Sequence, residues 1–174
     1  MKAILAILLV FGVLLAGDFE KGMKAYDKGD YRTAMKLLKP LADQGSAGAK
    51  YKLGIMYYYG RGVKQDYKEA AKWYKKAAEQ GSSLAQHNLG VMYDYGQGVR
   101  QDYKEAAKWY KKAAEQGITD SQFNLGLMYY KGQGVNQDKI KAYEWWLKAA
   151  RQGDTQAQHN LDILCRQSPW ACKQ

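Results

Sequence analysis

One stretch of this sequence occurs three times at a fixed offset of 36 residues, and this repetition constrains the fold more than any other feature. The stretch QDYKEAAKWYKKAAEQG occupies residues 65–81 and recurs unchanged at 101–117, and a looser copy follows at 137–153. Glycines share the same spacing, at Gly45, Gly81, Gly117 and Gly153. A period of this length predicts an array of stacked repeats, each of which is one supersecondary unit.

Residues 85–117 show what one unit contains. Ala85, Leu89 and Tyr93 recur at helical spacing and predict one buried helix face. Asp102 is a good N-cap for a second helix, and Glu105 three residues later predicts a capping box. The unit is therefore a helix–turn–helix hairpin, and stacked neighbours must cover its apolar face.

The second helix has an apolar stripe with a tryptophan at its centre. Trp109 holds this position in the middle unit, and Trp73 and Trp145 hold it in the units on either side. The stripe predicts that all three indoles belong to the core.

The repeated pattern A-x-x-x-L-G-x-x-Y-x-x-G-x-G-V-x-x-D-x-x-x-A-x-x-W-x-x-K-A-A-x-x-G resembles the Sel1-like repeat, a relative of the tetratricopeptide repeat. Residues 49–81, 85–117 and 121–153 follow it nearly throughout. The resemblance implies an all-α fold, a right-handed α-solenoid or superhelix of stacked antiparallel helix pairs. It also implies an exported bacterial scaffold that mediates protein–protein interaction.

The period divides the chain into six segments. We expect a signal peptide at 1–17, a degenerate tetratricopeptide-like hairpin without the G-x-G-V insert at 18–45, and Sel1-like repeats at 46–81, 82–117 and 118–153. Residues 154–174 are predicted to be a capping helix and a disulfide-tied tail, because no second helix follows the helix that begins near Thr155. Terminal units of solenoids are atypical because one side has no neighbour.

Residues 1–17 begin with one lysine and continue as an apolar run from Ala3 to Ala16. This run is shorter than the ~20 residues that a helix needs to cross a bilayer. A basic start and a short apolar run are typical of a secretory signal peptide. We therefore expect a periplasmic or secreted protein whose mature chain begins near Asp18. An uncleaved N-terminal anchor and a buried first helix are the alternative interpretations.

The two cysteines, Cys165 and Cys172, lie close together near the C-terminus. In an exported protein an even pair predicts a disulfide. A metal-binding pair and free thiols are the alternatives. Metal binding is disfavoured because the spacing does not match a zinc site and no clustered histidine accompanies the pair.

We expect no cofactor, no metal site and no catalytic residues. The G-x-G turns at 60–62, 96–98 and 132–134 lack a preceding strand and the complete phosphate-binding pattern, so turn geometry explains them better. His87 and His159 share a column with Tyr51 and Phe123, which favours a packing or groove position over a ligand set.

A cell-envelope hydrolase is the first alternative function, because some Sel1-like proteins are described as β-lactamases. A serine enzyme of that type requires S-x-x-K, and no serine of this chain has that spacing. Those relatives resemble a cysteine-rich subgroup with a cysteine pair in each repeat, whereas this chain has one pair. We therefore predict that the protein is not an enzyme.

The first helices are predicted to carry the partner-binding surface, because the resemblance implies that they line the concave side. Asparagine amides pair well with an extended peptide backbone, and methionine adapts to varied side chains. We expect a monomer that binds a protein or peptide partner. The alternative is that some of these positions, Met92 above all, pack between repeats. The predicted binding residues are Lys52, Asn88, Asn124, Asn160, Met92, Tyr59 and Tyr95.

The second helices carry most of the positive charge in a chain whose net charge is +10. Such a run is usually a solvated face, and its functional interpretation is a weak attraction to acidic partners or anionic surfaces. Electrostatic binding of anionic surface polymers is the second alternative function. Nucleic acid is not an expected partner, given the export signal. The repeated lysines are Lys68, Lys72, Lys75 and Lys76 in one repeat and Lys104, Lys108, Lys111 and Lys112 in the next.

Overall fold

A computed structural model describes residues 17–173, and all of the regular secondary structure in this range is helical. The predicted all-α fold of packed helix pairs is confirmed. The predicted signal peptide lies outside the described residues except for its last residue. The helices are α1 (17–27), α2 (Tyr31–Asp43), α3 (Ala47–Tyr59), α4 (Tyr67–Glu79), α5 (Ser83–Tyr95), α6 (Tyr103–Glu115), α7 (Thr119–Lys131), α8 (Lys139–Arg151) and α9 (Thr155–Gln167), followed by a 3-10 helix (Pro169–Cys172).

The described residues form two compact units, which divide between Ser82 and Ser83. In the first unit, α3 packs against both α2 and α4. In the second unit, each helix from α5 to α9 packs against the next, and the 3-10 helix packs against α8 and α9. We refer to α3, α5, α7 and α9 as the first helices and to α4, α6 and α8 as the second helices.

An aspartate begins each second helix, as predicted. Asp102 accepts hydrogen bonds from the backbone N–H groups of Lys104 and Glu105. The predicted capping box is wrong, however. The N–H of Asp102 donates to the carbonyl of Tyr93 and closes the loop between the helices, so it is not available to Glu105. The Glu105 carboxylate instead accepts from the indole N–H of Trp109.

A glycine in each of α3, α5 and α7 lets an aromatic side chain of the paired second helix approach its backbone. A Cβ added to Gly54 would lie 2.4 Å from the ring of Tyr74, and one added to Gly90 would lie 2.7 Å from Tyr110. These separations are far below van der Waals contact, so any larger residue would push the paired helices apart.

The G-x-G turns at 60–62 and 132–134 each pack against the preceding helix hairpin. At Gly134, where φ is +69°, an added Cβ would lie 2.0 Å from the carbonyl oxygen of Tyr103 at the start of α6. At Gly62, where φ is +74°, it would lie 2.6 Å from the carbonyl oxygen of Tyr31 at the start of α2. Glycine is required at both positions because the backbone is left-handed and the neighbouring chain is in contact.

The predicted tryptophan column is only partly buried. Trp73 and Trp109 are buried, but Trp145 is partly exposed at the edge of the core formed by α6 and α7. In the last hairpin Trp146 is the buried indole. It lies over Gly126, where Tyr74 and Tyr110 lie over the corresponding glycines.

Candidate binding surface

Three asparagines occupy one equivalent position on three first helices of the second unit. Asn88, Asn124 and Asn160 lie on α5, α7 and α9, and each is partly exposed. Their 36-residue spacing gives each amide the same position in its own helix. Asn124 also hydrogen-bonds the hydroxyl of Tyr110, so part of its hydrogen-bonding capacity holds the hairpin core.

A tyrosine and a lysine extend this surface at the C-terminal ends of α5 and α7. Tyr95 is 70% exposed, and its equivalent in the next repeat is the exposed Lys131. Asp94 lies beside them, and the Tyr110 hydroxyl donates to its carboxylate over 3.3 Å. Burial raises the pKa of Asp94, while the hydrogen bond from Tyr110 and the charge of Lys131 partly offset that rise.

A cavity of about 230 Å³ opens beside Asn160 between α7, α8 and α9. The indole N–H of Trp146 donates to the carbonyl of Phe123, and the Tyr130 hydroxyl donates to Gln167, so these aromatic residues turn apolar ring surface to the cavity. Lys131 and Asn160 are the polar residues of the lining. The apolar lining consists of Leu127, Tyr130, Trp146, Ile163 and Leu164.

In the first unit, the predicted residues Lys52 and Tyr59 belong to a cluster of cations and tyrosines. The Lys52 ammonium lies 4.3 Å from the centre of the Tyr26 ring, and burial lowers its pKa. Tyr59 is 60% exposed. The guanidinium of Arg61 lies 5.0 Å from the centre of the Tyr59 ring and hydrogen-bonds the Tyr26 hydroxyl. Lys52 is thus partly committed to packing within the cluster.

Arg61 was not among the predicted residues, although the sequence carries a signal for it. The central residue of the G-x-G turn is arginine here, whereas the next two repeats have Gln97 and Gln133. A guanidinium stacks on tyrosine rings in a way that an amide cannot reproduce. The arginine at position 61, where the other repeats have glutamine, is therefore the residue through which the loop between α3 and α4 contacts Tyr26 and Tyr31.

Met92 is buried at 0% relative exposure, so its predicted place on the binding surface is wrong. It lies three residues after Leu89 and seven after Ala85, and these three residues form the core stripe of α5. Tyr93, expected in that stripe, is partly exposed. Met56 and Met128 are buried at the equivalent positions.

His87 is a packing residue, in agreement with the interpretation from sequence. Its Nδ1 lies 2.8 Å from the hydroxyl of the buried Ser121, and its ring packs against Tyr110 with 5.8 Å between the ring centres. Burial lowers the pKa of His87, and the nearby Asp120 raises it in part. Within residues 17–173, no group of three or more metal-ligating side chains occurs.

The predicted disulfide between Cys165 and Cys172 is present and joins α9 to the 3-10 helix. The buried Ser168 accepts a hydrogen bond from the Lys139 ammonium, and Ala171 is fully buried, so the closed loop is fixed to α8. Trp170 nevertheless remains 60% exposed.

The lysines of the second helices lie on an exposed face. Lys72 pairs with Glu69, and Lys108 pairs with Glu105, whereas Lys104 is exposed without a salt bridge among the described residues. No helix within the described part of the chain is long and apolar enough to cross a membrane.

Repeated hairpins of this kind define an all-α repeat protein of the tetratricopeptide-like class. The Sel1 repeat family model matches residues 14–46, 47–82, 83–118 and 119–154, and the chain therefore belongs to the Sel1 repeat family. Sel1-repeat proteins typically act as scaffolds that mediate protein–protein interaction. No curated protein matches the chain.

Solved structures of bacterial repeat proteins share this fold. A protective antigen of uropathogenic Escherichia coli strains, which displays an SLR fold, is 42% identical with a TM-score of 0.83 and covers 87% of this chain. A Sel1 repeat protein from Oxalobacter formigenes is 34% identical with a TM-score of 0.80 and covers 83%. This chain spans 34% and 60% of those two proteins.

A more distant relative in structure is the cysteine-rich protein B of Helicobacter pylori. It is 26% identical with a TM-score of 0.56 over 71% of this chain and 94% of its own. The present chain has only two cysteines.

Proposed function

We propose that this protein is an exported, non-catalytic scaffold whose first helices, within each unit, bind an extended segment of a protein partner. The binding residues in the second unit are Asn88, Asn124, Asn160 and Tyr95, and those in the first unit are Lys52 and Tyr59. Membership of a family of interaction scaffolds supports this function.

The observation that carries the proposal is the recurrence of a partly exposed asparagine at one position of α5, α7 and α9. An amide offers both a donor and an acceptor, which is what the backbone of an extended chain requires. An extended chain advances ~3.3 Å per residue, so equivalent amides on successive repeats meet its backbone at regular intervals.

Peptides selected by the wild-type chain from a phage-displayed library of random dodecapeptides provide the probe. Replacing Asn88, Asn124 and Asn160 together with alanine removes hydrogen bonds that contribute ~0.5–1.5 kcal/mol each. The affinity for a selected peptide should fall about tenfold to a thousandfold. Circular dichroism checks that the helices persist, since Asn124 also contacts Tyr110. Unchanged affinity in a folded variant would contradict the proposal.

Export is part of the proposal because the disulfide fits an oxidising compartment. The apolar run from Ala3 to Ala16 supports removal of a signal peptide. Mass spectrometry of the protein isolated from an exporting cell should give an N-terminus near Asp18. A full-length N-terminus would favour an anchor instead.

A further inference from the structure

The cavity beside Asn160 has the size and chemistry of a site for one apolar side chain. Its volume of about 230 Å³ is below the ~300–1,000 Å³ that small-molecule sites usually enclose. The polar atoms of Trp146 and Tyr130 are already bonded to Phe123 and Gln167, so the walls offer an incoming group mainly carbon surface.

The equivalent positions one repeat earlier differ in charge. Asp94 occupies the position of Tyr130, and Tyr95 occupies the position of Lys131. The earlier repeat therefore has a carboxylate where the later one has an aromatic ring, and an aromatic ring where the later one has an ammonium group. The helices α7, α8 and α9 therefore combine an apolar cavity with one cation, Lys131, at its rim. Lys131 forms no salt bridge within the described residues, although its charge acts on Asp94, whose carboxylate accepts a hydrogen bond from Tyr110.

An ammonium beside a small apolar cavity favours a ligand that carries an apolar side chain next to a carboxylate. The amide of Asn160 lies in the same lining and would meet the backbone that connects the two groups. The preceding repeat offers no such combination, because it has the Asp94 carboxylate and the Tyr95 ring where the last repeat has the Tyr130 ring and the Lys131 ammonium.

We infer that this cavity anchors the partner through an apolar residue followed by an acidic residue, and so fixes the position of the bound segment along the first helices. This inference rests on the proposed function, because the asparagines bind the backbone of the same segment. The occupant is a peptide segment of a partner protein.

Titration of the ¹⁵N-labelled chain with three synthetic decapeptides of glycine and serine tests the anchor. One carries a central Leu-Glu, one Leu-Lys and one Ser-Glu. The indole N–H of Trp146 reports on the cavity wall. We expect the Leu-Glu peptide to shift this signal in a saturable manner and to bind about tenfold more tightly than Leu-Lys, while Ser-Glu leaves it unchanged.

Two variants and their matched controls sharpen the result. Lys131→Glu should invert the preference between the Leu-Glu and Leu-Lys peptides, whereas Lys104→Glu makes the same change in net charge on α6 and should not. Ile163→Phe should fill the cavity and abolish the Trp146 shift. Val91→Phe is the same substitution class at the equivalent position of α5 and should leave the shift intact.

Equal affinity for Leu-Glu and Leu-Lys, or an undiminished shift in a folded Ile163→Phe variant, would overturn the anchor. A shift of the Trp146 signal that dodecanoate produces but no peptide produces would identify a lipid site. A shift that grows with protein concentration alone would identify a second copy of this chain as the occupant. Either result overturns the inference. Peptide-induced shifts confined to the side-chain amides of Asn88 and Asn124 would leave the proposed function standing without the anchor. No shift with any peptide would count against both.

Discussion

Trp109 and Trp145 hold the same position in successive repeats but have different environments. A lysine ammonium lies over each ring, Lys112 over Trp109 and Lys148 over Trp145. Trp109 is 4% exposed and donates its indole N–H to Glu105, whereas Trp145 is partly exposed. Tryptophans at equivalent sequence positions therefore do not contribute equally to the free energy of unfolding. The difference predicts how the two residues respond to truncation.

Trp109→Ala should lower the free energy of unfolding by ~3–5 kcal/mol, the usual scale for removing a buried aromatic side chain. Trp145→Ala should cost less, because part of its surface is already in water. Urea unfolding of both variants and the wild type provides the comparison. Equal losses, or a greater loss for Trp145, would show that the burial difference does not control stability.

His87 makes the stability of the chain depend on pH. Burial lowers its pKa, whereas an unfolded histidine titrates near ~6.5. Just below that pH the unfolded chain binds more protons than the folded chain. The free energy of unfolding therefore falls as the pH drops through ~6.5 and continues to fall until the folded imidazole is protonated too.

His87→Gln should remove this contribution, because its amide still reaches Ser121 but does not titrate. Chemical denaturation at pH 7.5 and 5.5 should show a smaller loss of stability in this variant than in the wild type. His159→Gln is the control, since His159 is exposed in the same column. A loss of stability that is the same in the wild type and His87→Gln would exclude His87 as its source.

The helix hairpin is the element that the sequence predicts best, because its boundaries depend on local chemistry. Aspartate N-caps and the 36-residue period place the helices correctly. The sequence pattern could not decide whether Met92 lies on the buried or the exposed face of α5. It lies four residues after Asn88 and three after Leu89, spacings that fit either helix face. Packing against the paired second helix decides between them.

Other features of the hairpin depend on contacts between elements, which the period does not encode. The capping box fails because the N–H of Asp102 is used by the carbonyl of Tyr93 to close the loop. Arg61 contacts Tyr26 of α1 and Tyr31 of α2, so its role is set by residues 35 and 30 positions earlier in the chain. The cavity beside Asn160 likewise requires three helices to be in place.

The tail after α9 is held by two independent means, the disulfide and the burial of Ala171 and Ser168. Closing so short a loop stabilises a chain by about 2–3 kcal/mol in the entropic treatment. Replacing Cys165 and Cys172 with serine should therefore leave the helical content intact and increase hydrogen exchange only in the tail around Trp170. Circular dichroism and hydrogen exchange measure the two effects, and cooperative unfolding of the whole chain would contradict a local role.

At the scale of the whole molecule, the net charge of +10 and the asparagine column suggest separate contributions to binding. Exposed lysines on the second helices act over a Debye length of ~10 Å at 0.1 M salt, so they steer an acidic partner toward the chain. The asparagines act only in contact. Changes at the two sets of residues should therefore affect different kinetic quantities.

Reversing the charge of Lys68, Lys72, Lys104 and Lys108 to glutamate should slow association with a selected acidic peptide and flatten the dependence of affinity on salt, while dissociation stays nearly constant. The triple asparagine variant should instead dissociate faster at every salt concentration. Binding kinetics of both variants at 50 and 500 mM NaCl separate the two effects. Screening at 500 mM NaCl removes electrostatic steering but leaves direct contacts in place. Recognition would therefore be assigned to the second helices if the asparagine variant bound normally while the lysine variant lost binding at both salt concentrations.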